Sequence, residues 1–249
     1  MDYAYDDVAK MIDHSLLNPT LTVDDLEAGC RLAADYGVAS VCILPYYLKR
    51  CAEALGGSGV KASTTIGFPH GGHAAAVKLA ETRQALADGG EELDMVVNIS
   101  KVLSGDWDYV REEVRAVTGL THDAGQKVKV IFENCYLTDG QKARLCAICG
   151  EVNADYVKTS TGYGTGGATL DDFRLMRAAS PAHVKVKAAG GMKDLDAAIT
   201  FAELGCDRLG LSRTAEILDT LLVRLGQPAR TRTRARVSRG TEIGANLNY

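Results

Sequence analysis

Along the chain, apolar runs of strand length alternate with longer stretches whose apolar residues recur every three or four positions, and Gly, Pro or Asp marks the joints. Eight runs have strand character: KMIDHSL, VASVCILP, VKASTTIGFP, ELDMVVNI, KVKVIFEN, ADYVKTS, HVKVKAAGG and CDRLGLS. Between them lie segments such as TVDDLEAGCRLAADYG, HAAAVKLAETRQALADGG and DWDYVREEVRAVTGLTHDAG, with helical spacing; several open on a Ser, Thr or Asp cap and close on glycine. The order predicts an α/β fold with parallel crossovers, either an open doubly wound sheet or a closed barrel. Eight units favour the TIM (β/α)8 barrel. No strand runs into G-x-G-x-x-G opening a helix, the expected mark of the dinucleotide-binding alternative.

Nothing resembles a linker before Gly226, so residues 1–225 are expected to form a single (β/α)8 catalytic domain and 226–249 an Arg-rich C-terminal tail. An apolar content of 46% with 24% charged residues suits a folded, enzyme-sized body. The overall charge of −4 is uneven: five arginines and one glutamate after Leu225 give the tail +4, leaving −8 on the body. A short basic tail on an acidic body argues against nucleic acid as a partner, because the body repels phosphate backbones. No apolar stretch is long enough to span a bilayer, and the acidic start lacks an apolar targeting segment, so no membrane partner and a cytoplasmic location are expected. Seven cysteines, at 30, 42, 51, 135, 146, 149 and 206, are an odd and scattered set that reads as reduced thiols. Cys146 and Cys149 spell C-x-x-C, but on a helical pattern with no second ligand pair, which favours buried helix cysteines. The helices carry apolar residues that suit packing or a subunit contact equally, leaving a homo-oligomer open.

In a barrel, chemistry gathers at the C-terminal ends of the strands. That criterion selects Asp13 and His14 on the first strand, Cys42 on the second, Asp94 and Asn98 on the fourth, Glu133 and Asn134 on the fifth, Lys158 on the sixth and Lys187 on the seventh. A lysine inside a barrel strand must be desolvated, paired or useful. Lys158 and Lys187 sit near the same end of adjacent strands, which predicts ammonium groups a few ångströms apart. At that separation their repulsion is roughly 3 to 4 kcal/mol. With burial added, one amine becomes substantially neutral at cellular pH, as attack on a carbonyl requires. Lys158 is therefore expected to be a Schiff-base nucleophile. Asp94, a charge between Leu93 and Met95, is suited to hold Lys187 charged and to pass protons. The competing reading is a set of buried ion pairs with Asp94 or Glu133.

Three small-residue loops, STGYGTGG, AAGG and GLSRT, follow strands six, seven and eight, where barrels present backbone amides to phosphate. Arg213 is placed to add a charge-assisted contact. Lys185, two residues before Lys187, shares its face of the strand; it is expected to be buried and paired with Glu92 or Glu133. Two alternatives stay open at this level. His70 and His73, three apart in FPHGGH, would suit a metal-dependent aldolase, and the loops alone would suit a non-catalytic phosphosugar-binding barrel.

The motifs MIDHSLLNPTLT, VCILP, TIGFPHGG, ELDMVVNI, KVIFEN, YVKTSTGYGTGGAT and VKAAGG together resemble the 2-deoxyribose-5-phosphate aldolases, over nearly the whole body to about Leu218. VKTSTG with VKAAGG is the specific pair. The resemblance implies a class I aldolase in which Lys158 carries the Schiff base and Asp94 and Lys187 form the proton relay. It implies that Gly162, Gly190, Gly191, Gly210 and Ser212 contact the phosphate of a small phosphosugar. Asp13 and Cys42 are the further candidates for substrate contact. It also implies that the reaction needs no metal or organic cofactor. Some members carry a C-terminal tyrosine that approaches the site, which draws attention to Tyr249. Another Schiff-base barrel aldolase, for a different phosphosugar or aldehyde, is the nearest rival.

Overall fold

The computed structural model describes residues 3–230, and Tyr249 with the rest of 231–249 lies outside them. A short helix α1 (Tyr5–Ala9) precedes β1 (Ile12–Leu16), and the alternation then runs α2 (Val23–Tyr36), β2 (Ser40–Ile43), α3 (Leu48–Leu55), β3 (Lys61–Ile66), α4 (Ala75–Ala87) and β4 (Glu92–Val96). Two helices, α5 (Ile99–Leu103) and α6 (Trp107–Asp123), lead to β5 (Lys127–Ile131). The second half continues with α7 (Asp139–Glu151), β6 (Tyr156–Lys158), α8 (Leu170–Ala179), β7 (Lys185–Ala189), α9 (Leu195–Glu203), β8 (Arg208–Leu211) and α10 (Thr214–Arg224). All eight strands are parallel and close in sequence order, with β1 hydrogen-bonded to both β2 and β8. The TIM barrel expected from the alternation is the fold observed.

Local signals set the element ends. Thr22 accepts a hydrogen bond from the Asp25 amide while the Asp25 carboxylate accepts from the Thr22 amide, a reciprocal cap that starts α2. Gly37 ends that helix in the left-handed region at φ 63°. Thr138 and Gln141 repeat the reciprocal cap on α7, and Asp106 caps α6 through the Tyr109 amide.

Two radial layers have opposite character. Outward-facing strand residues such as Val41, Leu93, Val130, Val157, Val186 and Leu209 are fully buried against the helices, with Leu26, Leu48, Val114, Leu145, Phe173 and Leu218 on the other side. This jacket is the apolar core, and full burial of each such side chain stabilises the fold by about 1.5–3 kcal/mol. The inward positions are polar instead: Asp13, Ser40, Cys42, Ser63, Thr65, Glu92, Asp94, Lys129, Lys158, Lys187 and Arg208 are all buried. Barrel interiors are more often filled by branched apolar residues. Here the lumen is held by ion pairs.

A second buried charge pair lies outside the lumen. Lys78 of α4 meets Glu113 of α6 at 2.8 Å and donates to the Val96 carbonyl at 2.7 Å, while Glu113 accepts from the Asn98 amide at 2.9 Å. Together they tie the C-terminal end of β4 to its two covering helices. Cys146 and Cys149 are buried in α7, and all seven cysteines are free thiols. Among the described residues, no helix is long and apolar enough to cross a membrane.

Candidate active site

β4, β6 and β7 deliver their charges to one point. Lys158 is in register with Lys187 across β6 and β7, and Asp94 with Lys129 across β4 and β5. Lys158 Nζ donates to Asp94 Oδ2 at 2.7 Å, and Lys187 Nζ donates to the same oxygen at 2.7 Å. Two nitrogens on one acceptor can stand no further apart than the sum of those distances, so the expected crowding of the amines is present. Lys187 also reaches Asp13 Oδ2 at 2.5 Å.

Sequence reasoning passed over the other half of the network. Lys129 Nζ lies 2.8 Å from Asp94 Oδ1, 2.7 Å from Glu92 Oε2 and 3.5 Å from Asp13 Oδ2. Arg208 grips Asp13 Oδ1 at 2.6 Å and Glu92 at 2.9 and 3.2 Å through both terminal nitrogens. Ser40 Oγ donates to Asp13 Oδ1 at 2.6 Å. The signal was available: Lys129 stands between Val128 and Val130, the same charge-within-apolar-strand pattern that singled out Asp94. The connected network therefore sets three carboxylates, Asp13, Glu92 and Asp94, against four cations, Lys129, Lys158, Lys187 and Arg208. One positive charge is surplus.

Electrostatics set Lys158 apart from the other cations. Burial pushes the Lys158 amine below its ordinary range; Asp94 opposes this, and the Lys187 charge adds to it. Burial thus ranks ahead of the like-charge repulsion that the sequence put first. Lys187 feels the same burial, but Asp13 and Asp94 outweigh it and hold this ammonium above its usual value. Lys129 is held far above the usual range in the same way, by Asp13, Asp94 and Glu92. Asp94 and Asp13 are held below the carboxylate range, because the surrounding cations overcome the burial that would otherwise raise them. Cys42, whose sulfur is 4.0 Å from Asp94 Oδ2, is pushed up by burial and by that carboxylate, which keeps it a thiol.

Above these groups opens a cavity of about 1110 Å³. Asp13, Cys42, Lys158 and Lys187 line its depth; Gly162, Gly190, Gly191, Gly210 and Ser212 line its wall. Gly162, Gly190 and Gly191 take φ of 91°, 81° and 82°, a region that disfavours any side chain. The Ala168 amide is shared between the carbonyls of Ala189 and Gly190, at 3.0 and 3.1 Å, so the loop after β6 is pinned to the one after β7. A Cβ at Gly210 would lie 3.2 Å from Lys187 Cε, so glycine there leaves the lysine its path. The loop after β6 is also braced from below: Glu133 accepts from the Thr161 amide at 3.1 Å and from the Thr161 hydroxyl.

Two residues, Lys185 and Arg213, lie elsewhere than expected. Lys185 is exposed, with its amine 5.8 Å from the Tyr156 ring centre rather than on Glu92 or Glu133. It opens β7 at the N-terminal mouth, where the inward side faces water, and Glu92 is taken by Lys129 and Arg208. Arg213 is exposed, ion-paired with Glu216 one turn along α10, and is absent from the cavity wall. His73 lies 3.4 Å from Glu81, while His70 is exposed; among the described residues no cluster of three or more His, Cys, Asp or Glu has metal-binding geometry. His14 is buried on the outer side, hydrogen-bonded to Thr214 at 2.9 Å, and burial pushes it down to about 4.

Comparison with known proteins gives a consistent assignment. Residues 7–211 match the profile of the DeoC/LacD family aldolase. A deoxyribose-phosphate aldolase of Rhodopirellula baltica is 66% identical over 92% of this chain and 95% of its own. One from Thermococcus gammatolerans is 45% identical over 86% and 96%. Among solved structures, the tetrameric deoxyribose phosphate aldolase of Aeropyrum pernix superposes with a TM-score of 0.81 at 32% identity, covering 87% of this chain and 92% of that one. With its crowded lysines on a shared aspartate, and with these relatives matching most of its length, the chain belongs to the DeoC/LacD family of aldolases.

Proposed function

We propose that the chain reversibly cleaves 2-deoxy-D-ribose 5-phosphate to D-glyceraldehyde 3-phosphate and acetaldehyde, through a Schiff base on Lys158. The observation that carries this reading is the single Asp94 oxygen shared by Lys158 and Lys187. The pair divides the labour: Lys158, pressed toward neutrality by burial, has a lone pair to offer, and Lys187, held charged by two aspartates, has a proton to give.

In this reading Lys158 Nζ adds to the C1 aldehyde of the open-chain sugar, and the carbinolamine loses water to form an iminium. The Asp94 and Lys187 relay accepts the C3 hydroxyl proton through water as the C2–C3 bond breaks, with its electron pair passing to the iminium. Glyceraldehyde 3-phosphate leaves and an enamine remains on Lys158. Protonation at C2 from the Lys187 and Asp94 relay regenerates the iminium, which water hydrolyses to acetaldehyde. The wall glycines offer backbone amides to the phosphate, beside the N-terminal end of α10. Asp13 holds Lys187, and Cys42 fills the remaining side of the pocket as a neutral thiol. Side chains, backbone amides and water supply these steps.

The same reading treats 1–225 as the catalytic unit, since α10 ends at Arg224, and 226–249 as an appendage. The free thiols support a cytoplasmic setting, and the tetrameric Aeropyrum pernix relative supports self-assembly as the partner relationship. The test is borohydride reduction in the presence of acetaldehyde with mass mapping of the modified lysine, alongside cleavage assays on deoxyribose 5-phosphate and other sugar phosphates. Modification at Lys158 with preference for the deoxy sugar is the expected result; an unmodified protein, or modification elsewhere, overturns it.

A further inference from the structure

Beneath the site, on the floor of the lumen, Arg208 and Glu92 form a two-pronged ion pair that lines no part of the cavity and touches no group assigned a step in the reaction except Asp13. Their place in the charge inventory gives them a role. With all side chains ionised, the network carries one positive charge too many, and a buried medium of low polarizability penalises that excess. Each of the other cations has at least two carboxylates: Lys129 has three, Lys187 has Asp13 and Asp94, and Arg208 has Asp13 and Glu92. Lys158 has Asp94 alone. Neutralising Lys158 brings the network to zero.

We propose that Arg208 and Glu92 are positioning residues that set the lumen's charge count so that Lys158 is the amine that releases its proton, to water in the cavity above it. The inference rests on the Schiff-base reading of Lys158. The ionisable groups facing that amine or its network are Asp13 on β1, Cys42 on β2, Glu92 and Asp94 on β4, Lys129 on β5, Tyr156 on β6, Lys187 on β7 and Arg208 on β8; Glu133, after β5, is hydrogen-bonded to Thr161 and, among the described residues, makes no ion pair with the network, and β3 contributes the buried neutral Ser63 and Thr65. Removing a negative charge from the floor makes the protonated amine harder to hold, and removing a positive one makes it easier.

The test compares wild type with Glu92→Gln, Arg208→Gln, Arg208→Lys and the Glu92→Gln/Arg208→Gln double variant. The readout is the rate of cyanoborohydride-trapped acetaldehyde addition at Lys158 across pH, with the site mapped by mass spectrometry. In Glu92→Gln the acid limb moves to lower pH; in Arg208→Gln it moves to higher pH, so that at one pH on the limb the two rates differ from wild type by about threefold or more in opposite directions. Arg208→Lys and the double variant stay with wild type. Should Arg208→Gln fail to fold, Glu92→Gln and the double variant carry the comparison. An adduct at Lys158 whose pH limb is the same in Glu92→Gln as in wild type, or singles that move together, overturns the role of the floor alone. No adduct at Lys158 in wild type removes the Schiff-base reading and this one with it.

Discussion

Gly167 lies backbone to backbone against Gly190: a Cβ at Gly167 would stand 2.6 Å from the Gly190 carbonyl carbon and oxygen. The loops after β6 and β7 therefore share one wall with no side chain between them. In Gly167→Ala the wall must open, and Gly190 with it. We expect KM for the phosphosugar to rise about tenfold or more with kcat less affected, while trapping of acetaldehyde, which carries no phosphate, stays near wild type. Steady-state kinetics on the two compounds check it.

Replacing Lys158 separates the proposed nucleophile from its charge. Lys158→Arg keeps a cation beside Asp94 but has no amine able to attack, so cleavage should fall by at least about a thousandfold. In wild type the rate should decline as pH falls through the depressed Lys158 value, since protonation removes the lone pair. A pH–rate profile on the folded protein reads both effects.

Asp13 and Asp94 join the proposed site to acid stability. Their folded values lie below the usual carboxylate range, so their ionisation stabilises the fold above the unfolded Asp value of about 3.9 and is lost as pH falls through the lower folded values. Asp94→Asn should flatten that acid-side dependence in thermal melts, while lowering turnover about a hundredfold or more.

The pair behind β4 gives a stability test away from the chemistry. Glu113→Ala strands the buried Lys78 charge and should destabilise by about 3–5 kcal/mol. Lys78→Met combined with Glu113→Leu removes both charges at similar volume and should cost much less. Denaturant titration of the two variants measures the difference.

The barrel was legible because its signal is periodic and local. All eight strand runs were found, and Thr22, Gly37, Asp106 and Thr138 mark helix ends by chemistry confined to three or four neighbouring residues. Asp94, Lys158 and Lys187 were legible as charges inside apolar strands. Asp94 as partner of the lysines was legible with them; the contacts of Asp13 with Lys187 and of Glu92 with Arg208 were not, because they join residues 174 and 116 positions apart, which strand alternation does not encode. Lys185 shows the limit of face parity: it shares its face with Lys187, yet two residues along a strand separate a dry interior from the open mouth. Arg213 shows another, since a charge next to the glycine-lined wall turned to Glu216 on its own helix. Residues 231–249, including Tyr249, lie outside the described residues.

Cohesion and chemistry occupy different radii of this molecule. The aliphatic sleeve between strands and helices resists unfolding, whereas the charged axis it surrounds is a private reservoir of counter-ions. Sleeve positions are therefore free to be repacked for heat resistance without retuning the amine at the axis. Along the axis, substitutions are tolerated in compensating sets, and a protein engineer should expect single changes there to fail where matched pairs succeed.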